Sequence, residues 1–150
     1  MRFLIISHVV HKLIGEDFYA YGPYVKEMNL WFNHVEEVTV VAPLTNSLEA
    51  DSIDLAYKHP NINFHKVPEF NFISLNSKIK TFFLLPKFFI SVFSEMKRSD
   101  HIHLRCPGNM GLIGSIAQIF FPNKIKSAKY AGNWDPESNQ PFTYKLQQNI

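Results

Sequence analysis

The stretch from Asp100 to Trp134 reads D-H-I-H-L-R-C-P-G-N-M-G-L-I-G-S-I-A-Q-I-F-F-P-N-K-I-K-S-A-K-Y-A-G-N-W, and its punctuation leaves few folds open. His101 to Arg105 is a short apolar strand, stopped by Pro107 and Gly108 because proline cannot donate to a ladder and glycine turns freely. From Asn109 onward, Met110, Ile113, Ala117 and Phe120 recur at the three- and four-residue steps of a helix, until Pro122 and Asn123 end it. Ile125 to Ala131 then reads as a second strand. Strand, helix and strand at this spacing make a right-handed parallel crossover, so the chain is α/β.

The remaining segments fit around that crossover. Arg2 to Ser7 is a continuous apolar strand of the kind buried on both faces of a parallel sheet. Histidines follow it where a secretory leader would carry small residues, so a first strand is expected there and not a signal peptide. Pro23 opens an amphipathic helix through Tyr24, Val25, Met28, Trp31 and Phe32, with Trp31 expected in the core. Glu37 to Ala42 is a second strand closed by Pro43. Leu44 to Asn61 is polar and irregular, with a short helical stretch over Leu48 to Tyr57. Ile62 to Val67 is a third strand, ending at Pro68. A last helix begins at Phe142 and runs towards Ile150.

From Ser77 to Arg98 the apolar positions Ile79, Phe82, Phe83, Leu85, Phe88, Phe89, Ile90, Phe93 and Met96 cover roughly two thirds of a helix circumference, at about 100° per residue. Lys80, Lys87 and Arg98 share one narrow stripe, and Pro86 is expected to kink the helix or split it. Two readings stand: a helix buried between the sheet and its neighbours, or a surface that meets a membrane or a second domain, lysines towards acidic headgroups. No apolar run approaches the ~20 residues needed to cross a bilayer. The expected architecture is one Rossmann-like domain over residues 1–150. Its sheet is doubly wound and mainly parallel, with about five strands and helices on both faces.

Composition removes several function classes. A formal charge of +2 with dispersed lysines does not make a nucleic-acid groove. The single cysteine, Cys106, excludes an internal disulfide and fits a reducing cytoplasm. The loop from His8 to Gly22 lacks both G-x-G-x-x-G and the P-loop pattern, so dinucleotide and NTPase readings lose their support. His8 and His11 form H-x-x-H on that loop, with no nearby cysteine or second carboxylate to complete a tetrahedral set; no metal is expected, and one of the two is instead expected as a loop histidine near the site mouth, with His11 placed to touch an acceptor.

In open α/β sheets ligands sit outside the carboxyl ends of the strands, which here means Arg105 and Gly132, Asn133 and Trp134. Arg105 is expected beside the amino terminus of the following helix, where free N–H groups and the macrodipole favour a phosphate or carboxylate. The indole of Trp134 either stacks on the apolar face of a sugar or plugs the sheet edge, and Asn133 and Asp135 offer hydrogen bonds to hydroxyls.

R-C-P-G-N-M-G followed by K-Y-A-G-N-W-D-P resembles the amino-terminal domain of the nucleotide-sugar-dependent glycosyltransferases of the GT-B fold, the large group-1 family. The resemblance spans essentially the whole chain. In that family a strand carrying D-x-x-H-x-H-x-P contributes a histidine that touches the transferred sugar; the matching run here is Asp100, His103, Arg105 and Pro107. Arginine in the second histidine position cannot act as a base near neutral pH, so the resemblance implies phosphate or acceptor binding there. It implies substrate contacts from Arg105, Asn133, Trp134 and Asp135, with His11 and His103 behind them. Gly15 lies near the donor's phosphates by the same resemblance, or is simply a turn glycine.

The implied activity is transfer of a sugar from a nucleotide-sugar to a saccharide or lipid-linked acceptor in cell-surface polysaccharide or glycolipid synthesis. The implied place is the cytoplasm, with peripheral contact at the inner face of the membrane. The nucleotide-sugar is a substrate; no cofactor and no obligatory metal is implied. The family's donor-binding domain carries E-x7-E, and no two glutamates here have that spacing, so this sequence is expected to be the acceptor half, inactive alone. A non-catalytic sugar- or anion-binding module of the same fold is the alternative, and an unrelated doubly wound domain holding a small anion at Arg105 is a third.

Overall fold

The apolar run Arg2–Ile6 becomes β1, the central strand, with Phe3, Leu4, Ile5 and Ile6 all buried. In this computed structural model, which describes residues 1–47, 49–67, 75–135 and 137–149, β1 is flanked by two parallel neighbours. β4 (Glu37–Asn46) lies on one side and β7 (His101–Cys106) on the other. β6 (Ile62–Val67) pairs with β4, and β8 (Ile125–Tyr130) with β7, also in parallel. The parallel order is therefore β6-β4-β1-β7-β8.

Helices cover both faces because alternate side chains of the strands feed two separate cores. On one face Leu4, Ile6, Val41, Ile102, Leu104 and Cys106 pack with Phe88, Val92 and Met96 of α2 (Leu75–Arg98) and with Met110 and Ala117 of α3 (Asn109–Gln118). On the other, Phe3, Ile5, Val38 and Val40 pack with Tyr24, Val25, Met28 and Phe32 of α1 (Gly22–Phe32). Burial of each such side chain contributes roughly 2 kcal/mol. α3 lies tight against the sheet. A Cβ at Gly111 would meet the Arg105 carbonyl oxygen at 2.9 Å, and one at Gly114 would meet Leu104 Cδ2 at 2.7 Å.

Among the described residues the sheet has eight strands, not about five. Residues 8–22, expected as a loop, fold as a hairpin of β2 (His11–Ile14) and β3 (Asp17–Tyr21). β2 continues parallel to β4 beyond the reach of β1, pairing His11 with Leu44. β5 (Asp54–Ala56) joins β3 antiparallel, where a short helix was expected over Leu48 to Tyr57; Leu48 itself lies outside the described residues. Lys12 Nζ, 2.6 Å from Asp51 and 2.7 Å from Asp54, ties the hairpin to that segment. Phe18 stacks on Phe64 of β6 and supplies the apolar part of the attachment.

α2 runs through Pro86 as one helix and is not split. It buries Phe88, Val92 and Met96 while Ile90 stays 68% exposed; the side chains of Ile79, Lys80, Phe82 and Phe83, and the strand-ending Pro68, lie outside the described residues. Among the described residues no helix is long and apolar enough to cross a membrane. Trp31, expected in the core, is 37% exposed and stacks over Phe3 at 5.6 Å as the outer cover of β1 and β7. α4 (Phe142–Asn149) packs on α3, and Ile150 lies outside the described residues.

Candidate functional site

After β1 the chain crosses to β4 and β6 on one side, and after β6 it crosses back to β7 and β8 on the other. The carboxyl ends of β1 and β7 therefore flank the point where connections diverge, the place where open α/β sheets leave a crevice. Ser7, His8 and Val9 leave β1 there, and Cys106 passes through a cis peptide to Pro107 and Gly108 at the end of β7. The His8 ring covers Gly108, since a Cβ there would lie 3.2 Å from His8 Nδ1. Burial, reinforced by the nearby Arg105 charge, lowers the pKa of His8.

Strand alternation decides where Arg105 goes. Ile102, Leu104 and Cys106 point to the α2 and α3 face, so His101, His103 and Arg105 point to the α1 face. Arg105 accordingly lies over the Tyr24 ring, 4.8 Å from its centroid, with Nη1 3.4 Å from Glu27 Oε2. This corrects the expectation that it stands beside the amino terminus of α3, which is on the opposite face. There the Gly108 N–H donates to Gln147 Oε1 of α4 at 3.2 Å. Lys129, aligned with Arg105 across β7 and β8, donates to the same Glu27 oxygen at 2.8 Å.

His103 sits two residues before Arg105 on that face and is 2% exposed. Its Nδ1 and the Nε2 of His101 each lie 2.8 Å from Ser127 Oγ, so one hydroxyl serves two rings. His103 Nε2 is buried with no hydrogen-bond partner among the described residues. Burial lowers the pKa of His103 to about 4, leaving a neutral imidazole at neutral pH.

His11 is corrected from a loop residue at the site mouth to a core residue of β2. It is fully buried, with Nδ1 2.8 Å from the Val9 carbonyl oxygen and Nε2 2.7 Å from the Tyr57 hydroxyl. The hairpin turned it inward among Tyr24, Tyr57 and Phe64, and burial lowers its pKa to about 4. Gly15 occupies the hairpin turn with φ of 63°, and nothing lies within 4 Å of the position its Cβ would take. Asp100, in the motif run, is at the amino end of β7; Arg2 hydrogen-bonds its carboxylate and holds its pKa down at about 2.

Asn133, Trp134 and Asp135 follow β8 at the same rim as Arg105, where the Ala131 N–H still bonds the Cys106 carbonyl at 2.8 Å. Their side chains fall elsewhere. Trp134, 64% exposed, packs on Tyr130 at 4.7 Å, and Tyr130 is aligned with Cys106 on the α3 face. The indole thus borders a cavity of about 410 Å³ with Leu104, Cys106, Ser115, Tyr130 and Gln147. Asn133 Oδ1 accepts from the Asp135 N–H and Asp135 Oδ1 from the Glu137 N–H, both at 3.0 Å, so these polar groups shape the turn. Burial raises the pKa of the Cys106 thiol, as suits a packing residue.

The rim therefore joins Arg105 to His8, which sequence reading weighed only as part of H-x-x-H, to Tyr24, which it read only as helix core, and to Glu27 and Lys129, which it passed over. Their signals were modest. Glu27 follows Tyr24 by three at the border of the buried stripe of α1, a half-buried position where a carboxylate needs a partner. Lys129 becomes a neighbour of Arg105 only once the β7 to β8 register is known. Comparison with protein-family models, curated proteins and solved structures finds no match to this chain.

Proposed function

We propose that this chain is the acceptor-binding, Rossmann-like half of a GT-B glycosyltransferase, acting on a saccharide or lipid-linked acceptor in cell-surface polysaccharide or glycolipid synthesis. The observation that carries the reading is the cationic corner of Arg105 and Lys129 at the diverging strands, with Trp134 exposed on the same rim. The parallel order β6-β4-β1-β7-β8 supports it, because in order of occurrence it is the 3-2-1-4-5 arrangement of a doubly wound half. The corner takes a phosphate, Trp134 takes the apolar face of a sugar, and a donor-binding domain closes over both.

In that arrangement the residues here position the acceptor and add positive charge beside the departing diphosphate. The groove between α2 and α3, about 500 Å³ and lined by Phe89, Ile90, Leu112, Ile113 and Ile116, supports contact with the lipid part of an acceptor.

Calorimetric titration with a panel of hexose phosphates and oligosaccharides tests the reading. Arg105→Ala is expected to weaken hexose phosphate binding about tenfold or more, as loss of a charge-assisted contact does. Trp134→Ala is expected to weaken oligosaccharides while leaving inorganic phosphate unchanged. Absence of binding to every member of the panel overturns the proposal.

A further inference from the structure

Arg105 and Lys129 are aligned on adjacent parallel strands and converge on one carboxylate oxygen, Glu27 Oε2, at 3.4 and 2.8 Å. Two cations on one carboxylate leave a local excess of one positive charge. The pair is partly withdrawn from water, with the Arg105 and Glu27 side chains 14% and 24% exposed. Tyr24 holds the guanidinium through its ring, independently of Glu27. Arg105 therefore keeps a second support if the carboxylate leaves, and both cations then face a site able to take an anion with several oxygens.

A second observation points to a ligand at this place. His103, on the same face of β7, has its Nδ1 engaged by Ser127, yet its Nε2 is buried and has no partner among the described residues. Buried polar atoms are almost always satisfied, and one that is not calls for a reason, of which a water, an ion or a ligand group supplying the bond is one.

We propose that Glu27 is a displaceable counter-ion: it occupies the Arg105 and Lys129 pair in the free protein and gives way to the phosphate group of a ligand, which also reaches the His103 side. This rests on the proposed function only in placing an anion at this rim. The arrangement makes the site selective for charge. A monoanion merely replaces a carboxylate already present, whereas a phosphate dianion brings more charge than the group it displaces. Removing the charge of Glu27 removes the competitor and is expected to tighten phosphate binding about tenfold, the scale of a partly exposed ion pair.

The test is calorimetry with inorganic phosphate, with acetate as the monoanion, on the wild-type chain and on Glu27→Gln, Glu27→Asp, Lys129→Met and Arg105→Ala. Glu27→Gln is expected to bind phosphate about tenfold tighter than wild type, Lys129→Met and Arg105→Ala more weakly, and acetate to bind weakly throughout. Should Glu27→Gln fail to fold, the shorter Glu27→Asp reads the same competition through an intermediate gain. Parallel titrations with a hexose phosphate and with phosphatidylglycerol vesicles identify whether the phosphate arrives in solution or on a lipid surface; a gain in Glu27→Gln with either supports the counter-ion role. Loss of binding in Arg105→Ala without any gain in Glu27→Gln overturns that role and leaves the acceptor-domain reading standing. Failure of every variant to bind phosphate also overturns it, and the oligosaccharide titrations then decide the acceptor reading separately.

Discussion

His11 and His103 are buried deeply enough that each pKa falls from 6.5 to about 4. Between those values the unfolded chain holds protons that the folded chain does not, so stability declines as the pH is lowered from about 6.5 towards 4. A full shift of that size corresponds to on the order of 3 kcal/mol per histidine. Urea denaturation at pH 7 and pH 5 is expected to show a lower midpoint at pH 5. His11→Leu is expected to cost about 1 to 2 kcal/mol at pH 7, because the Tyr57 hydroxyl loses a partner, and to flatten the pH slope. An unchanged slope in that variant would remove His11 as the titrating group. Nothing in H-x-x-H itself announces this burial. The inward direction of His11 is set by Tyr24 of α1, Tyr57 just after β5 and Phe64 of β6, which are distant from it in sequence.

The elements that were legible are those whose period and stops agree over a long enough run. β7, α3 and β8 follow directly from apolar spacing punctuated by Pro107, Gly108 and Pro122. The hairpin was not legible, because four- and five-residue strands give too short an alternation, and β5 meets β3 only through contacts distant in sequence. The side of the sheet that Arg105 takes was legible in principle: Ile102 and Leu104 share one parity, and His101, His103 and Arg105 the other. Helix and turn geometry also set two expectations. Gly111→Ala is expected to lose about 1 to 3 kcal/mol in thermal or chemical unfolding, since the added methyl presses on the Arg105 carbonyl, Cys106 Sγ and Gln147. Gly15→Ala is expected to lose only about 1 kcal/mol, from the left-handed backbone alone, because open space surrounds the position.

For the whole molecule the decisive quantity is how much catalysis an open rim can supply. Transferases of the proposed kind lower their barriers by about 8 kcal/mol or more, largely through charges preorganised where water is excluded. Here Lys129 is about half exposed, Trp134 more so, and charge pairs in such surroundings contribute about 1 kcal/mol or less. Under those conditions the proposed Arg105 and Lys129 site cannot alone stabilise a departing diphosphate enough for turnover. The purified chain, given UDP- or GDP-sugars with an oligosaccharide acceptor, is therefore expected to release no nucleotide above the uncatalysed rate in a coupled assay. Turnover that disappears in Arg105→Ala would show that the rim closes on itself in solution, and the half-cleft assignment would then fail even though the α/β architecture stands.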